Sequence, residues 1–308
     1  MGMTTVRREE PDLRNALPLM RRRIAAARWL PMGFVSALAL GISLGLGYSN
    51  QLPELRRSFF RNLAVIASAL AVQLAILAWL SAGLSFVIPI TATIVWFAGG
   101  SVILLSQLSL VRGNDGKLAQ RFGFSNFLTT YRFMAIPLLA TLLPLFPGNR
   151  DVLLLGTTAF IVAALSDVLD GNYARFTNTV TDFGRIYDPV CDIVINAAVC
   201  IGAWGAGYVP GWYTTLALAR FFLPVGGGAL VYASGRTWRV RPTILGKLSV
   251  FVYVVFIGLT LLEAITAAPF LADLKERFLM LSGLLFAFNV VYILDRGFAL
   301  MRGKQNNS

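Results

Sequence analysis

From Ser166 to Asp192 the chain reads SDVLDGNYARFTNTVTDFGRIYDPVCD, with four aspartates set into otherwise apolar surroundings. The fixed points Asp167, Asp170, Gly171, Ala174, Arg175, Gly184, Asp188 and Asp192 follow the spacing D-x2-D-G-x2-A-R-x8-G-x3-D-x3-D. Eight specified positions coincide by chance at a given start with a probability below about 10⁻⁹, so the pattern is a signal rather than a coincidence. At about 100° per residue, Asp167 and Asp170 stand about 60° apart at the end of one helix, and Asp188 and Asp192 about 40° apart at the start of the next. All four carboxylates can then converge where two antiparallel helices meet.

Outward from this stretch the chain is too apolar for water: 56% of its 308 residues are hydrophobic and only 14% are charged. Apolar segments lie at about 30–50, 62–84, 86–110, 126–146, 152–169, 185–206, 212–234, 248–266 and 278–294. Crossing ~30 Å of hydrocarbon takes ~20 helical residues, so these are read as membrane helices. The charge-free block from Asn62 to Val111 is too long for one span, and Gly83 with Pro89 offers a place to divide it. The expected fold is an all-α integral membrane protein with a six-transmembrane-helix catalytic unit over 112–308. Residues 1–111 precede it as a basic arm and about two to three further membrane helices.

The net charge of +12 gathers in Arg7, Arg8, Arg14, Arg21, Arg22, Arg23 and Arg28 and in the loops. In a soluble chain such a balance would suggest nucleic acid; here it orients the protein by the positive-inside rule and meets anionic lipid, and no nucleic-acid partner is expected. The stretches 54–61, 112–124, 236–247 and the tail after Arg296 are all basic and favour the cytoplasm. The last six segments alternate without conflict and put 170–184 on that side, which predicts a multi-pass protein of the bacterial inner membrane with its active site facing the cytoplasm. Three spans in the first third would leave the arginine-rich arm outside. Either 30–50 is re-entrant or interfacial, or the charge preference is overridden at one loop. Gly47-Tyr48-Ser49-Asn50 does not resemble a signal-peptidase site, so the first segment is read as uncleaved.

Histidine is absent, and Cys191 and Cys200 sit within one apolar segment, so neither a His-based triad nor a disulfide framework or thiolate metal site is supported. Carboxylates are left as ligands for a hard cation such as Mg²⁺ or Mn²⁺. Four like charges near hydrocarbon repel one another, and each costs a few kcal/mol to place there. Two divalent cations would offset that cost and could bridge a pyrophosphate. Interhelical ion pairs are the structural alternative, but Arg175 and Arg185 cannot balance four aspartates and Asp182. Gly171 and Gly184 permit close approach of a phosphate to backbone, or close helix packing. Arg175 suits phosphate oxygens or lipid headgroups. A cation path is the second reading of intramembrane carboxylates, and clustering at one membrane face counts against it.

On these residues the chain resembles the CDP-alcohol phosphotransferase family, whose signature is this aspartate pattern with every fixed position matched. The resemblance extends over roughly 122–300. Asn126-Phe127-Leu128-Thr129 with Arg132 and Pro137 is similar to the family's first core helix, and Gly246-Lys247 after Pro242 resembles an element that opens the fifth. The resemblance implies two divalent cations held by Asp167, Asp170, Asp188 and Asp192, with Asp192 also the general base. It implies a CDP pocket lined by Asn126, Thr129, Asp170, Gly171, Ala174, Arg175 and Gly184. The expected reaction passes a phosphatidyl group from a CDP-diacylglycerol-type donor to an alcohol, releasing CMP. Arg132, Arg220 and Lys247 are candidate ligands for an acceptor phosphate, with snorkelling to headgroups as the alternative. Likeness is greatest to bacterial phosphatidylglycerophosphate and cardiolipin synthase-like members, which suggests glycerol 3-phosphate or phosphatidylglycerol as acceptor. Serine, inositol or inositol phosphate stay open, because Ile193, Phe221, Val250 and Tyr253 stand where those members carry other residues. Membrane lipids and a homodimer complete the expected partners.

Overall fold

The computed structural model of the chain describes residues 30–80, 86–113, 116–145, 148–177, 179–233 and 243–301, and of Asp167, Asp170, Gly171 and Arg175 the helical backbone alone. Expectations on the arginine-rich arm, Gly83, 236–242 and the end of the tail lie outside the described residues. Those residues form nine α-helices: α1 (Leu30–Ser49), α2 (Pro53–Leu80), α3 (Val87–Ser106), α4 (Phe124–Leu145), α5 (Arg150–Phe176), α6 (Asp182–Gly205), α7 (Gly211–Ala233), α8 (Ile244–Thr266) and α9 (Pro269–Met301). Among them α2, α3, α4, α6, α8 and α9 are long and apolar enough to cross a membrane. Large apolar side chains such as Val65, Trp79, Val95, Phe251 and Val291 are exposed along these helices, which suits lipid and not water. The chain is a multi-pass integral membrane protein.

One expectation is corrected. Residues 54–61 are not a loop but the first two turns of α2, which starts at Pro53 with Glu54 in its first turn. Proline is suited to a helix start because its missing N–H needs no partner there, and an early carboxylate complements the helix dipole. The basic residues Arg56, Arg57 and Arg61 therefore ride on a helix end. Pro89 likewise falls in the first turn of α3, where it breaks no ladder bond.

The six helices α4 to α9 close into a ring. α4 packs on α5, α5 on α8, α8 on α9, α9 on α7, α7 on α6, and α6 back on α4. Prolines inside the ring free carbonyls that must find partners in the absence of water. Pro137 cannot donate to the Phe133 carbonyl, and Trp96 Nε1 of α3 donates to it instead at 2.7 Å. Pro144 frees the Ala140 carbonyl, and α6 comes close there because a methyl group on Gly202 would stand only 3.0 Å from that oxygen. A methyl on Gly205 would stand 2.9 Å from Pro144 Cβ, so small residues set the α4–α6 distance, as in membrane helix pairs generally.

The first three helices join the same core. Leu55, Phe59, Leu63, Ile66 and Leu70 of α2 belong to one continuous buried cluster with residues of α4, α6, α8 and α9. Gly45 of α1 abuts the Ser106 carbonyl of α3 so closely that any side chain would collide with it. The end of α1 therefore lies level with the end of α3.

Candidate active site

The site is built along the seam between α4 and α6. Asn126 lies against the start of α6, Thr129 and Arg132 against its second and third turns, and Ala140 and Pro144 against Gly202 and Gly205. Positions rise together on both helices, so they run parallel, and each turn of α4 meets a definite turn of α6.

The order begins at the α6 N-terminus, whose first amides have no helical partner. Thr181 is the cap: its hydroxyl accepts from Gly184 N at 3.2 Å and donates to Asn126 Oδ1 at 2.9 Å. Asp182 N donates to the Arg112 carbonyl at 3.0 Å. One turn on, Thr129 Oγ1 donates to Asp188 Oδ1 at 2.6 Å. Arg132 then places its guanidinium between the two carboxylates, 3.1 Å from Asp192 Oδ1 and 3.6 Å from Asp188 Oδ1. The cation is sealed, with 2% of its side chain exposed, whereas the side chains of Asp188 and Asp192 are 32% and 47% exposed. Two open carboxylates are thus backed by one buried positive charge, the arrangement that lets acidic groups stand at membrane depth.

Aromatic rings hold this seam from outside. Phe122 packs edge-on to Phe59 of α2 and to Phe183 of α6 at 5.3 Å each, and Phe183 stacks on Tyr187 at 4.6 Å. Tyr187 precedes Asp188, so the accessory helices reach the carboxylate pair through a short relay of rings. On the other flank Phe124 meets Tyr173 of α5 at 5.3 Å, which brings the start of α4 to the last turns of the helix that carries Asp167 and Asp170.

The structure therefore brings together Asn126, Thr129, Arg132, Gly184, Asp188 and Asp192. Ala174 is buried on the last turn of α5, where its carbonyl accepts from Thr179 N at 2.9 Å. Asp167, Asp170, Gly171 and Arg175 lie on α5, their side chains outside the described part. Arg220 and Lys247 lie around the start of α8. Arg220 Nη2 lies 3.4 Å from the place a methyl on Gly246 would take, and Asn289 Oδ1 of α9 lies 3.7 Å from it. The Arg220 Nε is buried and makes no hydrogen bond among the described residues.

Among the described residues no three acidic, cysteine or histidine side chains form a metal cluster, two of the four motif aspartates being outside that set. The oxygens present do fit a hard cation. A methyl on Gly184 would stand 3.5 Å from Asp188 Oδ2, 3.7 Å from Thr181 Oγ1 and 3.8 Å from Asn126 Oδ1, so the glycine leaves a small oxygen-lined cradle beside a carboxylate. Thr181 is a participant that the aspartate spacing did not reveal. Its signal was a threonine directly before the acidic first turn of a helix.

Residues 122–291, more than half of the chain, match the sequence profile of the CDP-alcohol phosphatidyltransferase family. The chain belongs to this family. Similar proteins include the CDP-diacylglycerol--glycerol-3-phosphate 3-phosphatidyltransferase of Bacillus subtilis, 28% identical over 152 residues that cover 46% of this chain and 78% of the relative. The enzyme of the same name from Rickettsia felis is 36% identical over 101 residues, 33% of this chain and 55% of the relative. A probable phosphatidylglycerophosphate synthase of Mycobacterium tuberculosis is 33% identical over 141 residues, 45% of this chain and 65% of the relative. No solved structure matches. Family membership makes the chain a membrane enzyme of the phosphatidyltransferase class.

Proposed function

We propose that this phosphatidyltransferase moves the phosphatidyl group of CDP-diacylglycerol to the hydroxyl of glycerol 3-phosphate, releasing CMP, in a reaction that depends on divalent cations. The observation that carries this reading is the pair Asp188 and Asp192, open on one side and held from behind by the buried Arg132. The acceptor follows that named for the Bacillus subtilis and Rickettsia felis relatives. Arg220 supports a phosphate-bearing acceptor, because its buried Nε donor finds no hydrogen-bond acceptor among the described residues and a phosphate oxygen would supply one.

Asp167, Asp170, Asp188 and Asp192 would hold two Mg²⁺ or Mn²⁺ ions. When bound, these neutralise charge on the pyrophosphate and on the leaving phosphate. The chain's own residues do the rest. Thr129 and Arg132 fix the Oδ1 atoms of the α6 pair, so both carboxylates keep one orientation as substrates enter. Asp192 takes the proton of the acceptor hydroxyl. The oxygen forms a new bond to the phosphorus that bears the diacylglycerol, and the bond from that phosphorus to the CMP oxygen breaks. Gly184, Asn126 and Thr181 leave room for phosphate oxygens beside Asp188. Arg220 and Lys247 hold the acceptor's phosphate. The active site faces the cytoplasm of a bacterial inner membrane, where both water-soluble partners are met.

The test is a panel assay on the purified protein with Mg²⁺ or Mn²⁺. Labelled CDP-diacylglycerol is offered with glycerol 3-phosphate, phosphatidylglycerol, serine, inositol or inositol phosphate, and CMP and lipid product are both followed. CMP release only with glycerol 3-phosphate is the expected result. A different preferred acceptor overturns that half of the proposal, and no CMP with any of them overturns the whole.

A further inference from the structure

Before α4 the chain makes a small hairpin that the expected six-helix plan did not contain. Arg112 and Leu118 form an antiparallel bridge, Ala119 N donates to the Val111 carbonyl at 2.8 Å, and Gly113 N donates to the Lys117 carbonyl at 3.0 Å. Gly116 takes φ +73°, which a glycine adopts without strain. The Arg112 carbonyl accepts from Asp182 N, so the hairpin is tied to the first turn of α6.

Phe122, the first residue of the family-matched stretch, lies between this hairpin and α4. α2 grips both sides of its backbone. Phe122 N donates to Ser58 Oγ at 2.8 Å, and Asn62 Nδ2 donates to the Phe122 carbonyl at 3.1 Å. Ser58 and Asn62 stand one turn apart on one face of α2, so a single helix pairs both groups. From the same turn Phe59 packs edge-on to the Phe122 ring, which packs edge-on to Phe183. The backbone grip holds the start of α4, and the ring contacts carry it to the start of α6. Those two starts set the contacts on which the site depends: Thr181 on Asn126, Thr129 on Asp188 and Arg132 on Asp192.

We propose that Ser58 and Asn62 are positioning residues for phosphatidyl transfer, holding through Phe122 the α4–α6 register that aims Asp188 and Asp192. Buried backbone groups do not stay unpaired, so without these two side chains the start of α4 moves to pair Phe122 elsewhere and the carboxylates move with it. α2 lies outside the family-matched residues and so takes part in turnover as well as in anchoring. The inference rests on the phosphatidyltransferase reading and deepens it.

The chain carries its own reporters of this register. Cys191 and Cys200 are both buried on α6. Cys191 Sγ donates to the Thr129 carbonyl at 3.6 Å and sits inside the seam, whereas Cys200 Sγ lies 3.8 Å from Thr214 Oγ1 of α7. A slip at the start of the seam exposes the first thiol alone, and general loosening exposes both.

The experiment uses the full chain in lipid nanodiscs. It measures CMP release from CDP-diacylglycerol with glycerol 3-phosphate and, by mass spectrometry, the rate at which N-ethylmaleimide labels each cysteine. Ser58→Ala/Asn62→Ala lowers kcat about tenfold and leaves the donor KM within about twofold, the mark of misaimed groups and not of lost binding. Cys191 then labels about tenfold faster while Cys200 keeps its wild-type rate. Asn62→Ala alone, at a half-buried position that puts folding least at risk, gives the same pattern in smaller size. Ser58→Thr keeps the accepting oxygen and restores wild-type values. Leu77→Ala, roughly 28 Å further along α2, loosens packing on Leu138, Leu142 and Val152 without touching the grip, and keeps kcat per folded molecule. Unchanged kcat, unchanged Cys191 labelling or a joint rise at both cysteines overturns the proposal, and so does an equal kcat loss in Leu77→Ala. If the wild type turns over donor and the Ser58 and Asn62 variants match it, the grip fails as a positioning device and the transferase reading stands. If no acceptor releases CMP from the wild type, the transferase reading fails and the selective gain at Cys191 alone decides whether α2 holds the seam.

Discussion

The seam of α4 and α6 and the limb formed by α7, α8 and α9 lie in one ring and are filled in opposite ways. In the seam the interior is polar: Asn126, Thr129 and Arg132 are buried and each is spent on a group of α6 or on the cap before it. In the limb Tyr213, Phe221, Tyr253, Phe256 and Phe286 pack ring to ring, with centroid spacings from 5.0 Å for Tyr213–Phe256 to 5.9 Å for Tyr213–Phe286. Their polar ends are satisfied, Tyr213 with Ser282 Oγ and Tyr253 with the Asn196 carbonyl, at 2.6 Å each. The difference teaches where a membrane protein admits charge. The carboxylates of the seam stand where a buried cation and an opening to one side offset their desolvation, and the aromatic cluster of the limb is closed by dispersion contacts.

Four substitutions would break or sharpen that contrast, from the largest effect down. Asp192→Asn should lower CMP release by about 10²–10⁴-fold, the usual weight of a general base; a loss under tenfold would remove Asp192 from that role. Phe286→Ala should do the reverse, costing about 3–5 kcal/mol in a detergent unfolding titration while the folded fraction keeps its turnover. A turnover loss as large as that of Asp192→Asn would show that this aromatic packing takes part in chemistry. Arg132→Met should cost about 2–3 kcal/mol, below the ~3–5 kcal/mol of a fully buried pair because its partners are half open. Adding Asp188→Asn to it should recover part of the loss in a double-mutant cycle. Thr181→Ala should cost about 1 kcal/mol through the lost cap, and Thr181→Ser should not; equal losses in both would mean that packing, not capping, holds the start of α6.

Much of this was legible in the residues. Helix number and order followed from apolar segments of membrane length, since in hydrocarbon each backbone group must be paired within its own helix. Helix ends were less legible: α2 reaches back through Arg61, Arg57 and Arg56 to Pro53, and α9 extends well beyond the apolar 278–294, because charged side chains can ride on the interfacial turns of a spanning helix. The carboxylates of α6 were named from spacing alone. Arg132 was named as a phosphate ligand, and its contact with both Asp188 and Asp192 could not be foreseen, because it depends on the register of two parallel helices that meet here across 60 residues of sequence. The hairpin at 112–118 was hidden in a basic loop, although Gly113 and Gly116 within it were a turn signal.

By itself, then, the sequence determined that this chain lives in a bilayer as a set of helices and singled out the aspartates between Asp167 and Asp192 as its candidate site. Composition and short-range spacing suffice for those, since they depend on transfer to hydrocarbon and on the pitch of one helix. Only the tertiary structure decided which neighbours those aspartates have. The ring order, the sealing of Arg132 behind them, the glycine contacts that set the α4–α6 distance and the grip of α2 on Phe122 all arise from contacts between distant segments, which no local pattern encodes.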